Sequence, residues 1–240
     1  MRICIIGLAV ILTVISMSGM AQEKIGGDDI VFTPIEHATM VIQTKEATIY
    51  VDPVGDVKRF ASFPKSDIIL ITHIHHDHLD PTTIASLKNK GTVVVGPKTV
   101  IDELKYGEIL KNGEKTTVKG VQVEAIPAYN ITPGRMNFHP KGRDNGYVLE
   151  LKKKRIYISG DTKDTEEMRG LKNIDFAFVS VNLPYTMTVE QAASAVLEIK
   201  PKAVYPYHYR GRNGMSDLKK FQLLVEKDKD IEVRLLDWYR

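Results

Sequence analysis

Short apolar, β-branched runs separated by polar turns recur from residue 29 to the end of the chain. Such runs predict strands, and apolar residues at helical spacing predict helices. The predicted strands are residues 30–33, 39–42, 47–51, 67–71, 92–96, 147–151, 155–159, 174–180, 203–206 and 231–236, with two or three more within 108–126. The predicted helices are residues 81–89, a segment after Pro97, a short helix before residue 174, 189–199 and 216–227. A β meander followed by α/β units predicts an α/β fold of two sheets with helices outside.

One segment, residues 127–146, interrupts this pattern with three prolines and three glycines and is predicted to be a loop. It carries Tyr129, Asn130 and His139. Long loops inside a compact domain are commonly functional. We therefore expect this loop to border a site.

The first 21 residues have the layout of a signal peptide. Arg2 precedes an apolar run over residues 3–17, and small residues up to Ala21 precede a polar stretch. The run is short for a membrane span, although an uncleaved anchor remains the alternative. We predict cleavage after Ala21, export to the periplasm or the medium, and a single domain over residues 22–240 with no stable membrane anchor.

Composition narrows the chemistry further. The 240 residues are 43% apolar and carry a net charge of +3, which is too small to argue for a nucleic-acid partner. Cys4 is the only cysteine and lies in the predicted signal peptide. The mature chain would then have no thiolate ligand, cysteine nucleophile or disulfide. A metal would have to be held by His and Asp. The oligomeric state is left open.

The strongest chemical signal follows the strand predicted at residues 67–71. Four of the seven histidines occur there within six residues, as His73, His75, His76 and His78, with Asp77 among them. Neutral imidazole is a common ligand of zinc and related metals, and a strand end holds several ligands in fixed geometry. The alternative, a solvated polar loop, fits poorly after a buried strand.

Two further residues occur in similar positions. Asp161 ends a predicted strand in Ser-Gly-Asp-Thr, and His208 ends another in Tyr-Pro-Tyr-His-Tyr. Ligands gather beyond strand ends in layered α/β folds, so these residues could meet the histidine cluster in one cleft. Taken singly, Asp161 could equally cap a turn, and His208 could be a core histidine.

These motifs resemble those of the metallo-β-lactamase superfamily. The matching residues are His73-Ile74-His75-His76-Asp77-His78, then Gly160-Asp161-Thr162, then His208. The opening Glu36-His37-Ala38 through Asp52-Pro53 is similar to the subgroup of L-ascorbate-6-phosphate lactonase. The resemblance covers nearly all of residues 29–240. It implies a four-layer αβ/βα sandwich with two metals at one edge of the sheets.

The resemblance also implies roles for individual residues. His73 and His75 match ligands of a first metal, Asp77 and His78 match ligands of a second, and His208 completes the second. Asp161 matches the bridging carboxylate, whereas His76 is expected to point away from the metals. Many members place a third histidine of the first metal where this chain has Ala128-Tyr129-Asn130. We predict that His139 takes its place, the alternative being a loop histidine that binds substrate or nothing.

Residues around these ligands have predicted supporting roles. His37 and Asp52 match the subgroup and could orient ligating histidines. A core histidine and a strand-end turn are their alternatives. Tyr129, Asn130 and Arg210 are candidate substrate contacts, the last because arginine suits phosphate or carboxylate. Packing and solvated surface charge are the alternatives.

The predicted function is that of a metal-dependent hydrolase with two divalent ions, zinc being expected and manganese or iron compatible. A metal-bound hydroxide would attack an ester, lactone or phosphoester bond of a small, anionic substrate, with Asp77 orienting it or accepting a proton. An iron-dependent oxygenase or reductase of the same fold is the first alternative. A non-catalytic metal-binding protein is the second.

Overall fold

The computed structural model describes residues 23–25 and 30–239, so the predicted signal peptide and Cys4 lie outside the described residues. The strands are β1 Glu23–Ile25, β2 Ile30–Glu36, β3 Thr39–Gln43, β4 Thr48–Val51, β5 Ile68–Leu70, β6 Val93–Gly96, β7 Glu108–Ile109, β8 Lys115–Val118, β9 Val121–Ala128, β10 Asp144–Leu151, β11 Lys154–Ile158, β12 Phe176–Ser180, β13 Ala203–Tyr207, β14 Arg210–Gly211, β15 Gly214–Met215 and β16 Glu232–Val233. The helices are α1 Pro81–Leu87, α2 Lys98–Leu104, α3 Glu166–Arg169, α4 Val189–Ile199 and α5 Leu218–Val225, with a 3-10 turn at Val57–Phe60. Across these residues, no helix combines the length and apolar character needed to cross a membrane.

Fourteen of these strands form two seven-stranded mixed sheets, and β14 and β15 form a separate antiparallel pair. The first runs in sequence order from β1 to β7, antiparallel up to β4 and parallel beyond it. The second has the order β16-β13-β12-β11-β10-β9-β8, antiparallel from β8 to β11 and parallel from β11 to β16. The predicted α/β sandwich is confirmed.

Three apolar layers hold the sandwich together. The central layer packs the inner faces of the sheets and includes Phe32, whose ring lies edge-on to Phe178 at 4.9 Å between centroids. A second layer packs α3, α4 and α5 on one outer face. A third packs α1 and α2 on the other. Because the helices cover both outer faces, the functional site is confined to an edge where strands end.

The loop predicted at residues 127–146 is shorter than expected. β9 continues to Ala128 and β10 begins at Asp144, with Pro127 opposite Asn145. Pro127 is tolerated because β8 pairs with β9 only up to Glu124, so the strand has a single neighbour at the proline. The irregular segment is residues 129–143.

Two glycines let the ends of the neighbouring strands β10 and β11 approach closely beneath the site. A Cβ at Gly146, inside β10, would lie 2.8 Å from the carbonyl oxygen of Ser159. A Cβ at Gly160 would lie 2.8 Å from the carbonyl oxygen of Asn145, and this residue also has a φ of +59°. The glycines therefore mark a close backbone approach, which places Asp161 beside the turn that follows β5.

Candidate metal centre

The predicted ligands converge at one edge of the sandwich. Asp52 directly follows β4, the histidine cluster follows β5, Asp161 follows β11 and His208 directly follows β13. His139 reaches the same edge from the loop of residues 129–143. These turns border a cavity of about 690 Å³, whose wall includes His75, Asp77, His139 and Asp161.

The ligand atoms fall into groups small enough to hold an ion. Atoms of His73, His75 and His139 lie within 4.8 Å of one another, and we call these residues the His139 side. On the other side, Nε2 of His208 lies 3.1 Å from Nε2 of His78 and 3.7 Å from Oδ2 of Asp77. We call Asp77, His78 and His208 the His208 side.

Asp161 lies between the two sides. Its Oδ2 is 3.6 Å from Nε2 of His139. Its Oδ1 is 3.3 Å from Nε2 of His208 and 3.5 Å from Nε2 of His78. One carboxylate oxygen thus faces each side, as a bridging ligand requires.

Hydrogen bonds on the Nδ1 side of His78 direct its Nε2 into the site. Its Nδ1 lies 2.7 Å from Oδ2 of Asp52, which is fully buried and also accepts hydrogen bonds from the backbone N–H and the hydroxyl of Thr72. Because the carboxylate accepts, Nδ1 of His78 carries a hydrogen, and Nε2 is the nitrogen that can coordinate an ion once its own proton is displaced. The aspartate therefore orients the ring.

The same device recurs at His139. Its Nδ1 lies 3.0 Å from Oδ2 of Asp144, and Nε of Arg143 donates to Oδ1 of that carboxylate at 2.7 Å. Nε2 of His139 then keeps its lone pair and faces Asp161. A carboxylate behind a ligating histidine is a common feature of metal sites.

Of the buried side-chain atoms that have no hydrogen-bond partner among the described residues, two belong to the predicted ligands: Nε2 of His73 and Oδ1 of Asp161. The hydroxyl of Thr72 lies 3.0 Å from Nδ1 of His73 and donates to Asp52, so Nδ1 donates to the hydroxyl and Nε2 is left with a lone pair. Leaving buried acceptors unsatisfied is costly. A divalent cation satisfies both, and the nitrogen and oxygen donors fit zinc, manganese or iron.

Burial and charge set the protonation of the ligands. Burial lowers the pKa of His73, and the imidazoles of His78 and His139 lower it further, so the ring is neutral at pH 7. Burial would raise the pKa of the Asp161 carboxyl, but the imidazoles of His208 and His78 hold that pKa well below its usual range. Burial by itself would lower the pKa of His78, but the carboxylates of Asp161 and Asp52 outweigh it and raise the pKa to about 10.

Three site residues have left-handed backbone without being glycine: His37, Asp52 and His208, with φ of 56°, 45° and 48°. Such conformations cost free energy and persist where the surrounding structure enforces them. Here the backbone N–H of His208 donates to the carbonyl of His37 at 3.2 Å, and the N–H of Asp52 donates to Leu70 at 2.9 Å. The strained turns aim these side chains into the site.

Two predicted substrate residues lie elsewhere than the cavity wall. The Tyr129 hydroxyl donates to Glu167 at 2.8 Å, and the Nζ of Lys141 lies 4.7 Å from the centre of the Tyr129 ring. Asn130 is buried, its side chain donates to the carbonyl of Tyr185, and its backbone N–H donates to the carbonyl of His139 at 2.8 Å. In this structure Asn130 therefore fixes the loop that presents His139.

Arg210 and His76 do line the cavity. Arg210 is half-exposed and lies 3.7 Å from Glu36. His76 belongs to none of the ligand-sized groups found among the described residues.

Two residues that hydrogen-bond to the ligands were not predicted from the sequence. Asn182 lies 3.2 Å from the ring nitrogens of His208, and it follows β12 by two residues, so the strand-end rule could have found it. Asp144 begins β10, three residues before the strand start that the sequence pattern predicts. No local signal in the sequence marks it as the partner of His139.

Known proteins are similar to this chain in sequence and in fold. A family model described as a β-lactamase superfamily domain matches residues 23–208. A protein of Pyrococcus horikoshii described as a metal-dependent hydrolase is 31% identical over 212 residues, covering 82% of this chain and 92% of that protein. A crystal structure from Parabacteroides distasonis, also described as a metal-dependent hydrolase, matches with a TM-score of 0.81 and 42% identity over 88% of this chain and 94% of that chain. A diiron β-hydroxylase from Streptomyces venezuelae shares the fold alone, at a TM-score of 0.66 and 18% identity over 87% of this chain and 53% of that chain.

Proposed function

The chain belongs to the metallo-β-lactamase superfamily and is a metal-dependent hydrolase by family; from that premise we propose that it holds two divalent ions, with zinc expected. We further propose that it cleaves an ester, lactone or phosphoester bond of a small anionic substrate. The placement of Asp161 carries this proposal, because one of its oxygens faces each ligand side.

In the proposed division each ligand except Asp161 serves one ion, although atoms of His73, His78 and Asp161 also lie within 4.8 Å of one another. His73, His75 and His139 would hold the first ion, and Asp77, His78 and His208 would hold the second. Asp161 would contact both. When bound, a pair of divalent ions lowers the pKa of water toward 7 and polarises the bond under attack.

Asp77 has a further part in the proposed reaction. Burial would raise the pKa of its carboxyl, but the hydrogen bond from His37 and the charge of His78 hold that pKa well below its usual range. The carboxylate therefore stays ionised at neutral pH. It lies on the cavity wall, about one third exposed, where it accepts a hydrogen bond from an entering water and orients it for attack.

The residues at the cavity mouth are suited to an anionic substrate. Arg210 and Arg212 line it beside Phe138 and Tyr185, whose ring centroids lie 5.6 Å apart. The backbone N–H of Arg212 donates to the carbonyl of Leu183 at 3.0 Å, which holds the β14–β15 hairpin at the mouth. Guanidinium groups suit carboxylate or phosphate, and the two rings suit an apolar part of the same molecule.

The test combines metal analysis with a substrate panel. Purified protein should contain about two metal ions per chain by plasma mass spectrometry, and it should hydrolyse at least one of a set of chromogenic esters, lactones and phosphoesters. Chelation should abolish turnover, and zinc should restore it. Iron as the bound metal, with turnover that consumes oxygen, would instead support the oxygenase. Stoichiometric metal without any turnover would support the non-catalytic protein.

We also propose export, on the signal-peptide layout of residues 1–21. N-terminal sequencing of the protein recovered from the periplasm or the medium should give a chain that begins at Gln22. Recovery of the full-length chain in the membrane fraction would indicate the uncleaved anchor.

A further inference from the structure

Tyr239, in the segment after β16, reaches the metal centre from the far end of the chain. Its hydroxyl oxygen lies 2.7 Å from Nδ1 of His37 and 3.1 Å from the backbone nitrogen of Arg210. Its ring lies under the Arg210 guanidinium at 4.5 Å and against the ring of Tyr209 at 4.8 Å between centroids. The phenol is therefore fixed in position by contacts on several sides.

These contacts determine the directions of the hydrogen bonds. A backbone N–H can only donate, so the Tyr239 oxygen accepts from Arg210. The hydroxyl hydrogen then has one acceptor at hand among the described residues, Nδ1 of His37. Burial raises the pKa of the Tyr239 phenol, so the hydroxyl keeps its hydrogen at neutral pH.

An imidazole that accepts at Nδ1 carries its hydrogen on Nε2. Nε2 of His37 lies 3.2 Å from Oδ2 of Asp77, within reach of a hydrogen bond. We propose that Tyr239 is a positioning residue of the active site: it fixes His37 in the Nε2–H form, and His37 in turn fixes the Asp77 carboxylate.

In this arrangement His37 supports other site residues and does not coordinate a metal. Atoms of His37, Asp77 and His208 lie close enough together to hold a metal ion. Coordination by His37 itself is therefore the competing assignment. A nitrogen that carries a hydrogen has no lone pair for a metal. His37 instead supports its two neighbours, since its ring packs on His208 at 3.8 Å and its carbonyl accepts from the backbone N–H of His208. The catalytic consequence rests on the proposed hydrolase, whereas the tautomer does not.

The first experiment reads the tautomer directly. Long-range proton–nitrogen correlation spectra of the zinc-loaded protein separate Nε2–H, Nδ1–H and metal-bound imidazoles by their nitrogen shifts. We expect His37 as the neutral Nε2–H form in the parent, and loss of that preference in Tyr239→Phe. A metal-bound Nε2 on His37, or an unchanged tautomer in Tyr239→Phe, would overturn the proposal.

The matched control is Tyr209→Phe, which removes a neighbouring phenol oxygen that contacts Leu236 and Trp238 rather than His37. Both variants weaken the packing of the segment after β16, but only Tyr239→Phe should change the His37 spectrum. Equal effects of the two variants would show that Tyr239 acts only through packing of the segment after β16, and this result would overturn the proposal.

Kinetics on a substrate found by the panel give the second measurement. Tyr239→Phe should keep both metals and KM within about twofold and lower kcat by about 10- to 100-fold, the range found for groups that orient metal-site residues. His37→Gln places an amide N–H near the position of Nε2 without needing the phenol. In that background Tyr239→Phe should therefore have no further effect, and additive losses would refute the coupling. Failure of the hydrolase proposal would appear separately, as absence of metal or turnover in the parent.

Discussion

His139 and His208 complete the two sides of the metal centre. They are equally buried, but they are held in place by different means. His208 directly follows β13 and is 0% exposed, and its backbone N–H donates to the carbonyl of His37 in the β2–β3 turn of the first sheet. His139 is 1% exposed, yet it lies within the loop of residues 129–143. Its position depends on the backbone bond from Asn130 and on the Asp144 carboxylate. A strand end places a ligand through the sheet, whereas a loop ligand depends on individual hydrogen bonds.

The largest expected effect joins the two sides. Asp161→Asn removes the charge that faces both, so we expect loss of both ions and a fall in turnover of about 10²- to 10³-fold, the scale seen when a group that stabilises reacting charge is removed. Plasma mass spectrometry and the substrate panel measure both. Asp164→Asn, which breaks a pair with Arg169 outside the site, is the matched control. Two ions retained in Asp161→Asn would contradict the bridging role.

Separating the sides is the next test. His139→Ala should lose about one ion per chain and keep the other, because the ligands of the His208 side are untouched. His208→Ala should lose the opposite ion, and His76→Ala should keep both. Occupancy can be followed by metal analysis after gel filtration. Retention of both ions in His139→Ala would refute the assignment of His139.

Smaller effects should distinguish how each histidine is supported. Asp144→Asn replaces a charged acceptor behind His139 and should weaken the ion of the His139 side by about 10- to 100-fold. Asn182→Ala removes only neutral contacts to His208, so a loss below about tenfold is expected on the other side. Competition with a fluorescent chelator measures both affinities. Equal losses would show that the two sides are supported alike.

The pH dependence should also differ between the sides. In protein stripped of metal, the pKa of His78 is raised to about 10, so below that pH an ion must displace a proton from this ring. The association constant on the His208 side should therefore rise about tenfold per pH unit from pH 7 to 9. His73 and His75 have lowered pKa values and are already neutral there, so they add no such slope on the His139 side. Chelator competition in His139→Ala isolates the His208 side, and a flat profile would contradict this protonation.

Local pattern was sufficient for most of the architecture. The strands 39–42 and 92–96 and the helix 189–199 lie within a residue or two of β3, β6 and α4, because buried runs and helical spacing are local properties. The two-residue strands β14 and β15 were missed, since so short a segment carries no detectable alternation. β1 also went unpredicted. It is defined by its pairing with β2 rather than by its own residues.

The sequence alone determined that the predicted ligands would follow strand ends, because a buried strand must finish where its apolar run finishes. These ligands are His73, His75, Asp77, His78, Asp161 and His208. The tertiary structure decided which residues stand behind them. Asp144 lies behind His139, Asn182 behind His208, and Tyr239 behind His37 across 202 positions of sequence. It also gave Asn130, at the position where a histidine was expected, the role of holding the loop. Such pairings depend on how two sheets close against each other, and no local pattern in the chain encodes that distance.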